Sequence, residues 1–284
     1  MDAARNTADE QAARWNGPAG SAWVDKQAVM EELLRPIEDL LLDGLDVGPG
    51  ARVLDVGCGT GSTTLAVARR LGARAVGIDV SEPMIAAARE RVERDGSELA
   101  EAAVSFVRGD AADHVFTEAA FDAVVSRFGV MFFTDPVAAF ANLRHAATPQ
   151  GRLRFVAWRG VAENPFTTTA ERAAAPLLPG IPAREPDAPG QFAFADADRV
   201  HRILDASGWT GIDIRPVDVP CTLPTTELVG YFTRFGPLGM VLPQADERTR
   251  ARVVDTVRAA FEPYVHGPEV RFTAACWMVG AAAS

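Results

Sequence analysis

Residues 53–61 read Val53-Leu54-Asp55-Val56-Gly57-Cys58-Gly59-Thr60-Gly61: three apolar side chains and a carboxylate run straight into glycines at alternating positions. Ser62 to Leu71 then has helical character. A buried strand, a tight glycine turn and a helix amino end together let backbone N–H groups pass close to a nucleoside-type ligand. Glycine suits these positions because a side chain would block that approach or forbid a positive φ. Three more clusters follow in order: Asp79, 24 positions after Asp55; Gly109-Asp110-Ala111; and Ser126-Arg127-Phe128. A carboxylate accepts hydrogen bonds from a pair of hydroxyls or from an amino group. The chain's general-base candidates are four histidines, His114, His145, His201 and His266. A structural role competes with catalysis for each; His201 beside the apolar Val200 and His266 before the last strand are the two that could reach a pocket.

These clusters need strand ends to hold them. Arg74–Asp79, Val104–Arg108, Phe121–Ser126 and Arg152–Trp158 read as further strands, each separated from the next by a helical stretch or loop. Ser81 can cap the helix after Asp79, with Pro83 in its first turn. Five strand–helix alternations predict a Rossmann-like, doubly wound sheet of seven strands, mostly parallel, with ligands at the carboxyl ends. The helices at 228–262 intervene before the last strand, Val270–Val279, and leave it free to run antiparallel. The organisation expected is an amino-terminal helical arm or flap (1–44), a core (45–160), a helical cap insertion (161–194), and a carboxyl-terminal part of the sheet (195–284) carrying a second insertion at about 228–262. Within the arm, Trp15 and Trp23 flank a Gly17-Pro18 break and either cover the ligand or tie the arm to the body. The helix Gln27–Leu45 is predicted to bury Val29, Leu33, Ile37 and Leu40, with Pro36 inside it.

Composition narrows the partners. The net charge of −10 argues against a nucleic-acid surface. Cys58, Cys221 and Cys276 are scattered without metal-ligand spacing, which predicts no metal site and a reducing, cytoplasmic setting. No apolar run approaches the ~20 residues of a membrane span, and the charged amino end does not read as a signal peptide. A monomer and a homodimer are both compatible with the sequence.

The order and wording of the four clusters resemble the class I S-adenosylmethionine-dependent methyltransferases, most of all the small-molecule branch that includes the ubiquinone and menaquinone enzymes. The likeness is strong over residues 45–160 and looser over 190–220, where Phe192-Ala193-Phe194-Ala195-Asp196 and Asp205-Ala206-Ser207-Gly208-Trp209 look like a bacterial group of such enzymes. It implies that Asp55, Gly57, Cys58, Gly59 and Gly61 form the turn against the methionine part of S-adenosylmethionine, Asp55 acting through water or the cofactor's ammonium or else ordering the turn. Asp79 would take both ribose hydroxyls, with Val80 beside it, and Met84 would lie against adenine or pack in the core. Gly109, Asp110 and Ala111 would meet the adenine amino edge. The Ser126 carbonyl and Phe128 would border the cofactor's methionine end. Arg127 could pair with the cofactor carboxylate, hold substrate, or lie on the surface. One departure is Gln150 in Pro149-Gln150-Gly151, where the family commonly has glycine; a type I turn accepts it.

Methyl transfer from a sulfonium needs a nucleophile aligned with the breaking bond and water kept out. The aromatic set Phe128, Phe132 and Phe133, with Tyr231, Phe232, Arg234 and Phe235 as an opposite wall, would suit an aromatic or hydrophobic small molecule. The family reading predicts S-adenosylmethionine as cofactor, S-adenosylhomocysteine as product and no metal. Two alternatives remain: a protein that binds this cofactor without transferring methyl, regulatory or pericyclase-like, and an NAD-dependent oxidoreductase. The second fits less well, because its fingerprint spaces glycines as GxGxxG whereas this turn reads GxGxG.

Overall fold

A computed structural model describes residues 2–95, 103–182, 184 and 188–284. Positions 183 and 185–187 of the expected cap lie outside the described residues. The chain opens with three helices, α1 (Asp2–Asn16), α2 (Pro18–Asp25) and α3 (Gln27–Asp43). The alternating core follows: β1 (Arg52–Val56), α4 (Ser62–Leu71), β2 (Arg74–Asp79), α5 (Glu82–Asp95), β3 (Val104–Arg108), β4 (Phe121–Arg127), α6 (Pro136–Ala146) and β5 (Ala147–Trp158). Then come α7 (Pro165–Ala174), α8 (Ala197–Ala206), β6 (Thr210–Pro224), α9 (Leu228–Arg234), α10 (Gly236–Val241), α11 (Glu247–Ala260), β7 (Val265–His266) and β8 (Glu269–Ala282).

The sheet runs in the order β3-β2-β1-β4-β5-β8-β6, with β7 paired to β8. Strands β1 to β5 pair in parallel, while β8 lies antiparallel between β5 and β6. The sheet thus has eight strands rather than the seven expected. The extra one is the two-residue β7, which folds back on Val270 and Glu269 through a turn at Gly267, whose φ of 63° suits glycine. β5 also starts earlier than predicted. Its pairing with β4 jumps from Phe121–Ala147 to Ala123–Arg152, so the Pro149–Gly151 segment is an irregularity within the strand.

Both faces of the central strands are covered, which is why they read as near-continuous apolar runs. Along β1 and β4, Leu54, Val56 and Val124 join one core cluster, while Val53, Ala123 and Val125 join another. That is the period-2 alternation of a strand buried on two sides. Helix α3 belongs to this packing. Its buried stripe is Met30, Leu33, Leu34, Ile37, Leu41 and Leu42, and Leu40, expected inward, is 41% exposed. Pro36 sits inside the helix without ending it. Chain order reverses between β1 and β4, and a ligand crevice is expected at the carboxyl ends of those two strands.

Candidate active site

At that crevice Gly57, Gly59 and Gly61 take φ of 68°, 54° and 83°, values that side-chain-bearing residues rarely adopt. The turn is held by the neighbouring strand: the Gly57 and Cys58 N–H groups donate to the Ile78 carbonyl at 2.9 and 3.1 Å. A Cβ on Gly57 would stand 2.6 Å from the Cα of Gly129, so the β1 and β4 loops touch backbone to backbone. By contrast, a Cβ on Gly59 would meet only the Met84 sulfur, at 3.7 Å. That leaves a glycine cradle open toward Met84, a shape that fits a nucleoside cofactor.

Asp79 ends β2 and is 8% exposed. One carboxylate oxygen accepts from the Gly59 N–H and the other from the Ser81 N–H, both at 2.9 Å. Burial pushes its pKa above the usual carboxylate range, against the pull of those backbone donors. Asp110 behaves alike, raised by burial while accepting from the Ala112 N–H at 2.9 Å.

One cavity of about 360 Å³ joins these groups. Of the residues singled out from sequence, Trp15, Trp23, Gly57, Cys58, Gly59, Asp79, Val80, Met84, Gly109, Asp110, Ala111, Arg127 and Phe128 line it. So do Phe132, Phe133, Tyr231, Phe232, Arg234 and Phe235.

Three of the predicted residues are absent from the lining. Asp55 is 1% exposed and accepts from the Thr64 hydroxyl at 2.6 Å, bracing the turn from behind. Gly61 faces the core, where a Cβ would come within 2.6 Å of the Phe106 ring. Ser126 is fully buried, its Oγ donating to the Val56 carbonyl at 2.7 Å and accepting from the Gly129 and Val130 N–H groups. The two histidine candidates also lie elsewhere. α8 turns Val200, Ile203 and Leu204 inward, and a 100° step per residue leaves His201 exposed. His266 is exposed on β7. Among the described residues the cavity lining contains neither histidine nor lysine.

Several residues packed around the crevice escaped sequence reasoning. Two acids of α3 reach the glycine turn. Glu38 accepts from the Ser62 and Thr63 hydroxyls at 2.7 and 3.0 Å and faces Arg127 at 3.6 Å. Glu31 accepts from the Thr60 hydroxyl and forms a two-pronged pair with Arg91 at 2.6 and 3.1 Å. A carboxylate set inside a buried helical stripe, as Glu38 is, was the available signal. The amino-terminal arm is fastened to the β2–α5 turn: the Ser81 hydroxyl donates to the Trp15 carbonyl at 2.6 Å, and Asn16 bridges Val80 and Glu82 at 3.0 and 2.9 Å.

The opposite wall is aromatic. Phe166 stacks on Phe272 at 3.8 Å between ring centres, and Trp23 meets Phe235 edge-on at 5.5 Å. Lys26 pairs with Glu227 at 2.8 Å and Asp25 with Arg234, bridging arm and second insertion. Phe128 adopts a φ of 67°, unusual for a bulky residue, and stacks on Trp158 at 4.7 Å. Strain retained at such a wall points to function.

Comparison with known proteins agrees with this architecture. Residues 53–151 match the family described as "Methyltransferase domain". The nocamycin O-methyltransferase of Saccharothrix syringae is 38% identical over 125 residues, 43% of each chain, so that match spans less than half of the relative's length. A demethylmenaquinone methyltransferase of Mycobacterium sp. (strain KMS) is 31% identical over 176 residues, 59% of this chain and 71% of the other. In fold, the YcgJ protein of Bacillus subtilis superposes with a TM-score of 0.58 at 16% identity, covering 86% of this chain and 97% of that one. The chain belongs to the class I S-adenosylmethionine-dependent methyltransferases. No helix among the described residues is long and apolar enough to cross a membrane.

Proposed function

We propose that this chain transfers the methyl group of S-adenosylmethionine to an oxygen, nitrogen or carbon nucleophile on a small aromatic or hydrophobic molecule. One observation carries the reading: a single cavity joins the open glycine cradle, the buried carboxylate of Asp79 and the half-buried one of Asp110 to a wall of phenylalanine, tyrosine and tryptophan. When bound, the cofactor supplies a methyl group on a sulfonium, a good leaving group. Asp79 would accept the ribose hydroxyls with the lone pairs left over from Gly59 and Ser81. Asp110, beside the Ala111 N–H, would hold the adenine edge, and Met84 would pack against the ring. Arg127, steadied by Glu38 at the turn, is suited to an anionic end of the cofactor. Phe128, Phe132 and Tyr231 would keep water out and hold a flat acceptor against the methyl.

Calorimetric titration with S-adenosylmethionine, S-adenosylhomocysteine and NAD tests the cofactor assignment. The two sulfur compounds should bind and NAD should not. Asp79→Ala should weaken binding by about 100-fold or more, the loss of two charge-assisted hydrogen bonds. Mass spectrometry of reactions with phenols, hydroxyquinones and aromatic acids should then reveal a product 14 Da heavier. Tight binding with no product from any acceptor would favour a non-transferring binder. Binding of NAD alone would overturn the assignment.

A further inference from the structure

The cavity is apolar at most points, and its polar exceptions share a defect. Among the described residues, the buried side-chain polar atoms without a hydrogen-bond partner are Gln11 Oε1, Arg14 Nε and Arg127 Nη1. All three residues line this one cavity. Native proteins rarely leave such atoms unanswered, and a cluster of them in a cavity points to a missing ligand. Gln11 and Arg14 stand three apart on α1 and so share a helical face.

The four lining arginines are not equivalent. Arg127 faces Glu38, Arg234 pairs with Asp25, and Arg184 makes a two-pronged pair with Glu171 at 2.5 and 3.1 Å while lying over the Phe192 ring at 5.0 Å. Arg14 alone of the four has no carboxylate partner among the described residues. Its guanidinium rests near the Trp15 ring, 5.9 Å from the centroid. Its strongest charged neighbour is another cation, Arg184; burial first, and that repulsion second, bring its pKa below the usual arginine value. Two guanidinium groups lining one largely apolar cavity are stabilised by an anion placed between them.

We propose that Arg14 and Arg184, which line one cavity from the arm and the cap, form an anion subsite of the acceptor pocket, and that the methyl acceptor is an acidic, otherwise apolar small molecule bearing a carboxylate or a comparably acidic enol. The proposal rests on the function proposed above. The charge belongs to the acceptor rather than the cofactor because Arg127 already stands at the glycine turn with Glu38, whereas Arg14 of the arm and Arg184 of the cap line the cavity from other elements.

The test uses 2-naphthoate and its neutral counterpart 2-naphthalenemethanol, titrated into the full chain saturated with S-adenosylhomocysteine. The acid should bind more tightly than the alcohol. Arg14→Gln should weaken naphthoate by about tenfold or more, the effect of one charged hydrogen bond. Arg184→Gln should act in the same direction. Both variants should leave the alcohol and S-adenosylhomocysteine within about threefold of the parent, which also checks that they are folded. Equal affinity for acid and alcohol, no binding of the acid, or an equal loss of both probes would overturn the subsite. Loss of S-adenosylhomocysteine affinity in Arg14→Gln would reassign the arginine to the cofactor. Failure of the parent to bind S-adenosylhomocysteine would instead strike the methyltransferase reading and this proposal with it.

Discussion

Asp55 offers the sharpest quantitative test, because its buried side chain braces the glycine turn, one of the two roles the sequence leaves open for it. It is 1% exposed, with the Thr64 hydroxyl donating to it at 2.6 Å. Burial raises its pKa from 3.8 to about 7, with Thr64 and Arg127 pulling the other way and Glu38 and Asp79 adding to the rise. The folded-state value lies above the unfolded one, so between them the native state binds more protons than the unfolded state. Stability contributed by this group is therefore greatest at low pH and declines as pH rises from about 4 to about 7. At 1.36 kcal/mol per unit the full penalty is roughly 4 kcal/mol above pH 7, of which about 2–3 kcal/mol develops between pH 5 and pH 8. Asp55→Asn keeps an oxygen for Thr64 and removes the titration. Urea unfolding of both proteins at pH 5, 6, 7 and 8 should show the variant gaining on the parent by about 2–3 kcal/mol across that range. A difference that stays flat, or moves the other way, would show that Asp55 remains ionised in the folded protein and would refute the reasoning.

Other outcomes follow from the same contacts. Gly57→Ala places a methyl 2.6 Å from Gly129 at a φ of 68°, and should destabilise the fold by at least about 2 kcal/mol by thermal melting and abolish cofactor binding in titration. Asn16→Ala removes the bridges to Val80 and Glu82, so S-adenosylhomocysteine affinity should fall about tenfold while the melting temperature drops by only a few degrees. An affinity unchanged in that variant would mean the arm is mere packing. His201→Ala and His266→Ala, both at exposed positions, should leave turnover and stability unaltered, within about 0.5 kcal/mol of the parent. A large loss of turnover in either would require a proton route that the fold described here lacks.

Much of the fold was legible because buried strands and helices write their periods into the chain. The apolar runs of β1 and β4 announce strands covered on both faces, and Gly57, Gly59 and Gly61 mark a turn that only glycine tolerates three times over. Asp79 and Asp110 could be singled out for the same reason: one ends β2 and the other comes two positions after β3, at the strand ends where this topology places ligands. Errors came where a rotation of one position decides the outcome. Leu40 rather than Leu41 is expected inward, and His201 is a pocket candidate only through its neighbour Val200, although one step around a helix separates buried from exposed. The eighth strand was missed because two residues carry no period.

What the sequence alone determined is the class of protein and the glycine-turn side of its cavity, since both depend on local motifs at successive strand ends. The other half was decided only in three dimensions. Glu31 and Glu38 reach the glycine turn because α3 packs onto the sheet, and Asn16 meets Val80 across 64 positions of chain. Asp55, Gly61 and Ser126 withdraw behind the wall although they sit within the recognisable motifs. That Arg14 and Arg184 line one cavity likewise has no signature in spacing. Contacts between elements far apart in the chain are chosen by how apolar faces close on one another, and that choice exists only once the whole core has formed.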